Sequence, residues 1–319
     1  MQPTITWKSC SDLPIEISEA KTTVIGGKVY CGGGVTNKAF NDDFHVYCYD
    51  ISQDTWSVLP QLPVRFFGVG RINGTVVAVG GTKMGVKGMK QNISDGVYSY
   101  NEQLQQWEQT IPPMPTGRHS PGVLSLESAL IVVSGYTANQ ELANSVEIFM
   151  RSTSQWCRTD PLPFCCCDVS MVANGSRLYV LGGFQDPVCL NQAIYASVDD
   201  LFQNAVPANL VAHTDSDDSN HNAWKLLPDT PIYRPAAAMM AGCLLGVGGS
   251  GTSQGAADRK EIYAYSPSIE SWIYISNLPA PLREISISHL SPMEILVIGG
   301  QRNDLKMKTV YKGTLNLKL

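Results

Sequence analysis

The 319-residue chain contains no apolar run approaching the ~20 residues needed to cross a bilayer as a helix. Its opening, Met1-Gln2-Pro3, lacks the charged-then-apolar pattern of a secretory signal. Charged residues make up only 16%, and their balance of -5 at pH 7 argues against general nucleic-acid binding. The nine cysteines are odd in number and scattered without a disulfide framework, so reduced thiols in a cytosolic setting are expected. The five histidines (His45, His119, His213, His221, His289) form no metal-ligand spacing with cysteine or carboxylate, and neither a metal nor a cofactor is expected.

Several enzyme-like strings also lack their context. Gly246-Val247-Gly248-Gly249-Ser250-Gly251 fits a dinucleotide-binding glycine pattern, and Gly251-Thr252-Ser253-Gln254-Gly255 fits a nucleophile elbow. Each would have to lead into a helix, whereas here the chain leads into the strand-like Ile262-Tyr263-Ala264-Tyr265. Asp215 to Asn220 resembles a calcium loop, but the sixth place is Asn220 and the twelfth Leu226, where glycine and glutamate are required.

What the chain does have is repetition. All six tryptophans, Trp7, Trp56, Trp107, Trp156, Trp224 and Trp272, occupy the same place in a module of about fifty residues. The modules have an apolar run ending in a glycine doublet, such as Val76-Val77-Ala78-Val79-Gly80-Gly81, with Ser134-Gly135 at that place in the third. An aromatic-containing strand follows, as in Val97-Tyr98-Ser99-Tyr100-Asn101, then the tryptophan and a Leu-Pro or Met-Pro segment. Five modules are whole and the sixth is split between the chain ends. The period reads as one four-stranded blade of a β-propeller. The apolar run suits a strand covered on both faces, and the doublet lets backbone approach closely. The tryptophan buries a large ring between blades while its N–H seeks a backbone carbonyl. Asn73-Gly74 and Asn174-Gly175 suit two-residue hairpin turns.

This pattern resembles the kelch-repeat family over nearly all of the chain. The expectation is a single all-β domain over 1–319, a six-bladed kelch propeller with four antiparallel strands per blade. Thr4-Ile5-Thr6-Trp7 is expected to close the ring as the outer strand of blade six. An insertion over about 199–222, between the third and fourth strands of blade four, is read as a solvated loop that starts with one helical turn.

The topology also says where to look for function. The loops between second and third strands, and those joining blades, emerge on one face. That face carries thirteen cations, Arg65, Arg118, Arg234, Arg259, Arg283, Arg302, Lys38, Lys83, Lys87, Lys90, Lys260, Lys306 and Lys308, against nine carboxylates, giving it a net charge of about plus four on an acidic chain. Tyr136 and Phe184 follow their glycine sites and offer apolar anchors near the channel mouth.

The resemblance to kelch-like substrate adaptors of ubiquitin ligases implies a non-catalytic, monomeric module that binds an acidic peptide on this face. Two alternatives are a carbohydrate-active kelch protein similar to sialic acid mutarotase and a cytoskeletal or scaffold module. Cys165-Cys166-Cys167 alternates in reading, with Cys166 on the opposite face from its neighbours; buried inert thiols are expected there rather than a redox sensor.

Overall fold

In the computed structural model, residues 4–37, 44–83, 92–209 and 222–316 are described. Six sheets stand around a central axis, five of four strands and one of five. In blades 1 to 5 the order from the axis outward is the order along the chain, and in blade 6 the outermost strand is the chain's first. Blade 1, for example, runs Lys21–Ile25, Lys28–Gly32, Val46–Asp50 and Thr55–Val58. The innermost strands of blades 2 to 6 are Gly68–Ile72, Gly122–Ser125, Ser170–Asn174, Ala236–Met240 and Ser286–Ser291.

The second strands are the core of each blade. Ala129–Val133 is buried at every position, as a strand sandwiched between two neighbouring blades must be. The glycines that end these strands sit against the next inter-blade loop. At Gly33 (φ +77°) a Cβ would run into the carbonyl of Phe67, so both the backbone angle and the close approach require glycine.

Thr4–Ser9 pairs antiparallel along its whole length with Val310–Asn316, from Thr4 opposite Asn316 to Ser9 opposite Tyr311. It is the outer strand of blade 6, so one sheet holds both ends of the described chain.

Every tryptophan indole N–H donates to a backbone carbonyl lying just after, or at the end of, the preceding blade's outer strand. The pairs are Trp7 to Asn277, Trp56 to Ser11, Trp107 to Pro60, Trp156 to Pro112, Trp224 to Asp160 and Trp272 to Pro228, at 2.8 to 3.0 Å. The ring is therefore stitched blade to blade by one repeated hydrogen bond that satisfies the polar end of each indole.

Two local expectations change. In blade 2 the turn is centred on Asn73 and Gly74, with φ of +52° and +75°. In blade 4, Asn174 pairs with Arg177, so the turn is centred on Gly175 and Ser176, and Gly175 supplies the positive φ. The insertion is also more ordered than a solvated loop over its described part. Ser197 caps the helix Val198–Gln203 by accepting from the Asp200 N–H, and Leu201 is buried. The chain then turns back and lays Val206–Pro207 against Cys157 and Arg158 as a fifth strand on blade 3. A neighbouring blade's open edge is the reason: its unpaired backbone groups accept a strand. The acidic stretch Asp215 to Asn220 lies outside the described residues, as do His213 and His221.

Candidate functional site: the channel mouth

Two residues before each innermost strand, the chain makes the same unusual turn. Glu19, Phe66, Ser120, Asp168, Arg234 and Glu284 all have φ between 51 and 59°. Left-handed backbone is uncommon outside glycine, and six equivalent cases encircle one opening. Backbone hydrogen bonds link members of this ring directly, from Glu19 to Glu284 (2.9 Å), Ser120 to Phe66 (2.8 Å) and Asp168 to Ser120 (3.1 Å). Below the ring lies a cavity of about 90 Å³ lined by Glu19, Lys21, Asp168, Arg234 and Glu284 among others. A second cavity of about 140 Å³ continues down the channel and shares Thr22, Val123, Met171 and Ile287 with the first.

One side of the mouth is ionic. The Arg234 guanidinium lies 2.7 Å from Glu19, 3.1 Å from Glu284 and 3.5 Å from Asp168, while Lys21 reaches Asp168 at 3.0 Å. Burial pushes the Glu19 carboxyl above its ordinary value; Arg234 offsets only part of this, and the nearby Asp168 and Glu284 add to the rise. Burial acts on Asp168 in the same sense, yet Lys21 and Arg234 outweigh it and hold that carboxyl below its usual value. Glu19 and Lys21 escaped the sequence reading. Their signal was positional, since Glu19 aligns with Arg234 and Glu284 two residues before an inner strand.

The other side is an arc of planar groups, in contact from Arg65 to Tyr136, with Phe184 beside Arg234. Arg65 lies over the Phe66 ring at 5.1 Å; Phe66 and His119 are 5.9 Å apart, and His119 stacks on Tyr136 at 5.0 Å with 19° between planes. Backbone bridges join His119 to Tyr136 and Cys167 to Phe184, and Arg234 lies over the Phe184 ring at 5.3 Å. Phe66, His119, Tyr136 and Phe184 are each half-buried. Burial lowers the His119 pKa, so the imidazole in this stack is neutral at pH 7, and burial pushes the Tyr136 phenol up to about 12.

The structure separates the cations that the sequence grouped together. Arg118 is fully buried and leaves the candidate set. It pairs with the equally buried Glu147 at 3.2 Å and donates to the carbonyls of Ser134 and Ser145, which fixes the path of the chain between blades 2 and 3. Arg283 is bound to Asp258 and Asp304, and its side chain is 11% exposed. Arg234 is neutralised as described. On the small sheet formed by Val64–Arg65 and Thr82–Lys83, Arg65 pairs with Thr82 and Lys83 with Val64, so the two cations fall on opposite faces; Lys83 and Arg302 are exposed. The net-positive face therefore does not survive as a single field, because Glu19 joins it and its central arginines are answered by carboxylates. Lys38, Lys87 and Lys90 lie outside the described residues.

The cysteine run is likewise resolved. Cys166 and Cys167 are both buried and Cys165 is half-buried, so the expected alternation fails where the chain enters the left-handed turn at Asp168. Burial drives the Cys166 thiol up to about 12 and raises Cys167 as well, with Asp168 adding to the latter. Among the described residues, no three metal-ligating side chains converge.

Comparison with known proteins agrees with this architecture. The kelch motif family model matches residues 18–63, which is blade 1. Kelch-like protein terF of Aspergillus terreus is 26% identical over 191 residues, covering 57% of this chain and 41% of that protein. Kelch-like protein 38 of Rattus norvegicus is 28% identical over 171 residues, covering 52% of this chain and 29% of that protein. The chain thus spans less than half the length of these relatives. The solved structure of YjhT superposes with a TM-score of 0.73 at 14% identity, covering 97% of this chain and 99% of that one, a likeness of fold.

Proposed function

The chain carries kelch repeats on a six-bladed propeller, and from that premise we propose that it is a non-catalytic protein-interaction module whose channel-mouth face holds a segment of another protein. The observation that carries this reading is the arc from Arg65 through Phe66, His119 and Tyr136 to Phe184. Half-buried aromatic side chains beside a guanidinium are the usual composition of a binding hot spot. They cluster here on loops held by rigid inner strands, in backbone geometry the fold imposes.

An acidic component of the ligand is supported by Arg65, whose guanidinium lies over the Phe66 ring, and by the exposed Lys83 and Arg302. Resemblance to the substrate-adaptor propellers favours a role in presenting a bound protein to other machinery. The carbohydrate reading is the weaker, because the arginine nearest the cavity, Arg234, already faces three carboxylates and is poorly placed to take up a sugar acid.

The test is a pull-down from cell extract with the wild-type propeller and with an Arg65→Ala/Tyr136→Ala variant, alongside an NMR titration with neutral and acidic monosaccharides. Partners lost from the double variant, with no sugar-induced shifts, are expected. Equal capture by both proteins, or saturable sugar binding at the cavity, would sink the proposal.

A further inference from the structure

Away from the mouth, a cleft of about 430 Å³ opens at the seam of blades 1 and 2, within the span of small-molecule sites, about 300–1,000 Å³. Tyr30 of blade 1 forms one wall, and Thr75, Val76, Tyr100, Glu102 and Glu108 of blade 2 form the others. Gly74 lies in the turn between the first and second strands, and Glu102 follows the third, so the cleft opens at the end of the propeller opposite the mouth.

The repeat shows how this cleft differs from its neighbours. The first residue after the third strand is Ile51 in blade 1, Glu102 in blade 2 and Arg151 in blade 3, and the residue after the tryptophan is Ser57, Glu108 and Cys157. The cavity at the seam of blades 2 and 3 is therefore lined by Arg151, and that at the seam of blades 6 and 1 carries Lys8 and Lys312 beside Asp54 and Glu294. The cleft between blades 1 and 2 has two carboxylates in its lining and no cation.

Both carboxylates are set in a fixed frame. Glu108 accepts from the amides of Asn101 at 3.1 Å and Gln106 at 2.9 Å, and these donors hold its carboxyl below the ordinary value. Burial raises the Tyr30 and Tyr100 phenols, and the Glu102 charge adds to the rise of both, so that carboxylate acts on either wall. Tyr100 is packed on Trp107 with ring centres 5.3 Å apart. Among the described residues neither Glu102 nor Glu108 has an ion-pair partner. The charge of Lys28 is felt at Cys48 and Asp50, and that side chain does not line the cleft. A cleft lined by charge of one sign concentrates ligands of the other.

We propose that this cleft is a second binding site, for a protonated amine whose ammonium group sits against Glu102 and Glu108 and whose carbon chain lies over Thr75, Val76 and the two tyrosines. It stands independently of the reading of the mouth as a protein-binding surface. A lysine side chain of a protein and a free polyamine carry this same chemistry.

The experiment titrates the full chain, with methyl-labelled valines, against spermidine, N-acetyl-lysine methylamide and N-acetyl-norleucine methylamide, the last having no charge. The Val76 methyl signals report on the cleft, and those of Val180, buried in blade 4, serve as reference. Saturable shifts at Val76 and none at Val180 are expected with at least one of the two amines, and none with the norleucine probe. Glu102→Gln and Glu108→Gln should each weaken binding about fivefold or more, and the double variant should abolish it. Asp229→Asn removes an equal charge at an exposed position elsewhere and should change binding less than about twofold. Thermal melts verify that each variant is folded.

Shifts with the lysine probe alone would identify a protein side chain as the source of the amine, and shifts with spermidine alone a free polyamine. Val76 signals unmoved by both amines would overturn the inference, as would equal shifts with the norleucine probe. Equal losses in Asp229→Asn would also overturn it, by revealing diffuse attraction to an acidic chain. None of these results bears on the mouth.

Discussion

The indole N–H of Trp7 donates to the backbone carbonyl of Asn277 at 2.8 Å, joining two residues 270 positions apart in the chain. It is the one link of the tryptophan series that spans almost the whole sequence, and it lies where the first strand completes the last blade. Trp7→Phe keeps most of the apolar contact and removes the hydrogen bond, so a loss of about 1 kcal/mol is expected in urea denaturation. Deleting residues 1–10 leaves the outer edge of Val310–Asn316 unpaired and should lower the melting temperature of the entire ring in one transition. A truncated protein that melts like the full chain would refute the closure.

Arg118 and Glu147 form a charge pair with both side chains 0% exposed. Removing one partner leaves the other charged and buried, so Arg118→Ala should destabilise the fold by about 3–5 kcal/mol. The double variant Arg118→Met/Glu147→Leu, with no buried charge, should recover most of that loss. Arg302→Ala, at an exposed side chain, is the contrast, within about 0.5 kcal/mol of wild type. Chemical denaturation of the four proteins separates a structural arginine from a surface one.

Acid should weaken the fold through two histidines. The Nε2 of His289 accepts from the Met239 N–H at 2.8 Å, which requires a neutral ring, and burial lowers the pKa of both His289 and His119 below the ordinary 6.5. The unfolded chain therefore takes up protons below pH 6.5 that the folded chain resists. The stabilising contribution is complete above that pH and is lost as the pH falls from 6.5 through the folded-state values. Denaturation midpoints measured at stepped pH should fall in this window, and His289→Gln, which retains an acceptor, should flatten the dependence. An unchanged slope in that variant would assign the effect elsewhere.

Thiol reactivity should follow burial rather than the conspicuous cysteine run. Cys243 is exposed, whereas Cys166 and Cys167 are buried with raised pKa values. Timed alkylation with iodoacetamide and peptide mapping should find Cys243 modified first and Cys166 and Cys167 protected until the protein unfolds. Modification of Cys166 or Cys167 at a rate matching Cys243 would restore the redox-sensor reading.

The architecture was readable because its determinants are local and repeated. A glycine doublet answers to backbone approach and a tryptophan to the gap between blades; the doublet recurs in five blades, with Ser134-Gly135 in the third, and the tryptophan in all six, so the copies reinforce one another. The candidate site was readable only in outline. Tyr136, Phe184 and Arg65 do come together at the mouth, but the fate of each arginine depends on which carboxylate a different blade presents to it. Glu147 lies in the otherwise apolar strand Val146–Met150, and its charge was a local hint that a buried cation must be nearby. Nothing in the spacing of Glu19, Asp168 and Glu284 announces that they surround Arg234, since they come from blades 1, 4 and 6.

The ring of six left-handed residues bears on how such a protein can change. Each position is held by the backbone of the inter-blade turn, and its occupants here are as different as glutamate, phenylalanine, serine and arginine. The shape of the opening is thus decoupled from its chemistry. A lineage built on this frame can exchange one mouth residue at a time, with asparagine and glycine as the least strained intermediates, and explore new ligands while the hydrophobic interfaces that keep the blades together stay untouched.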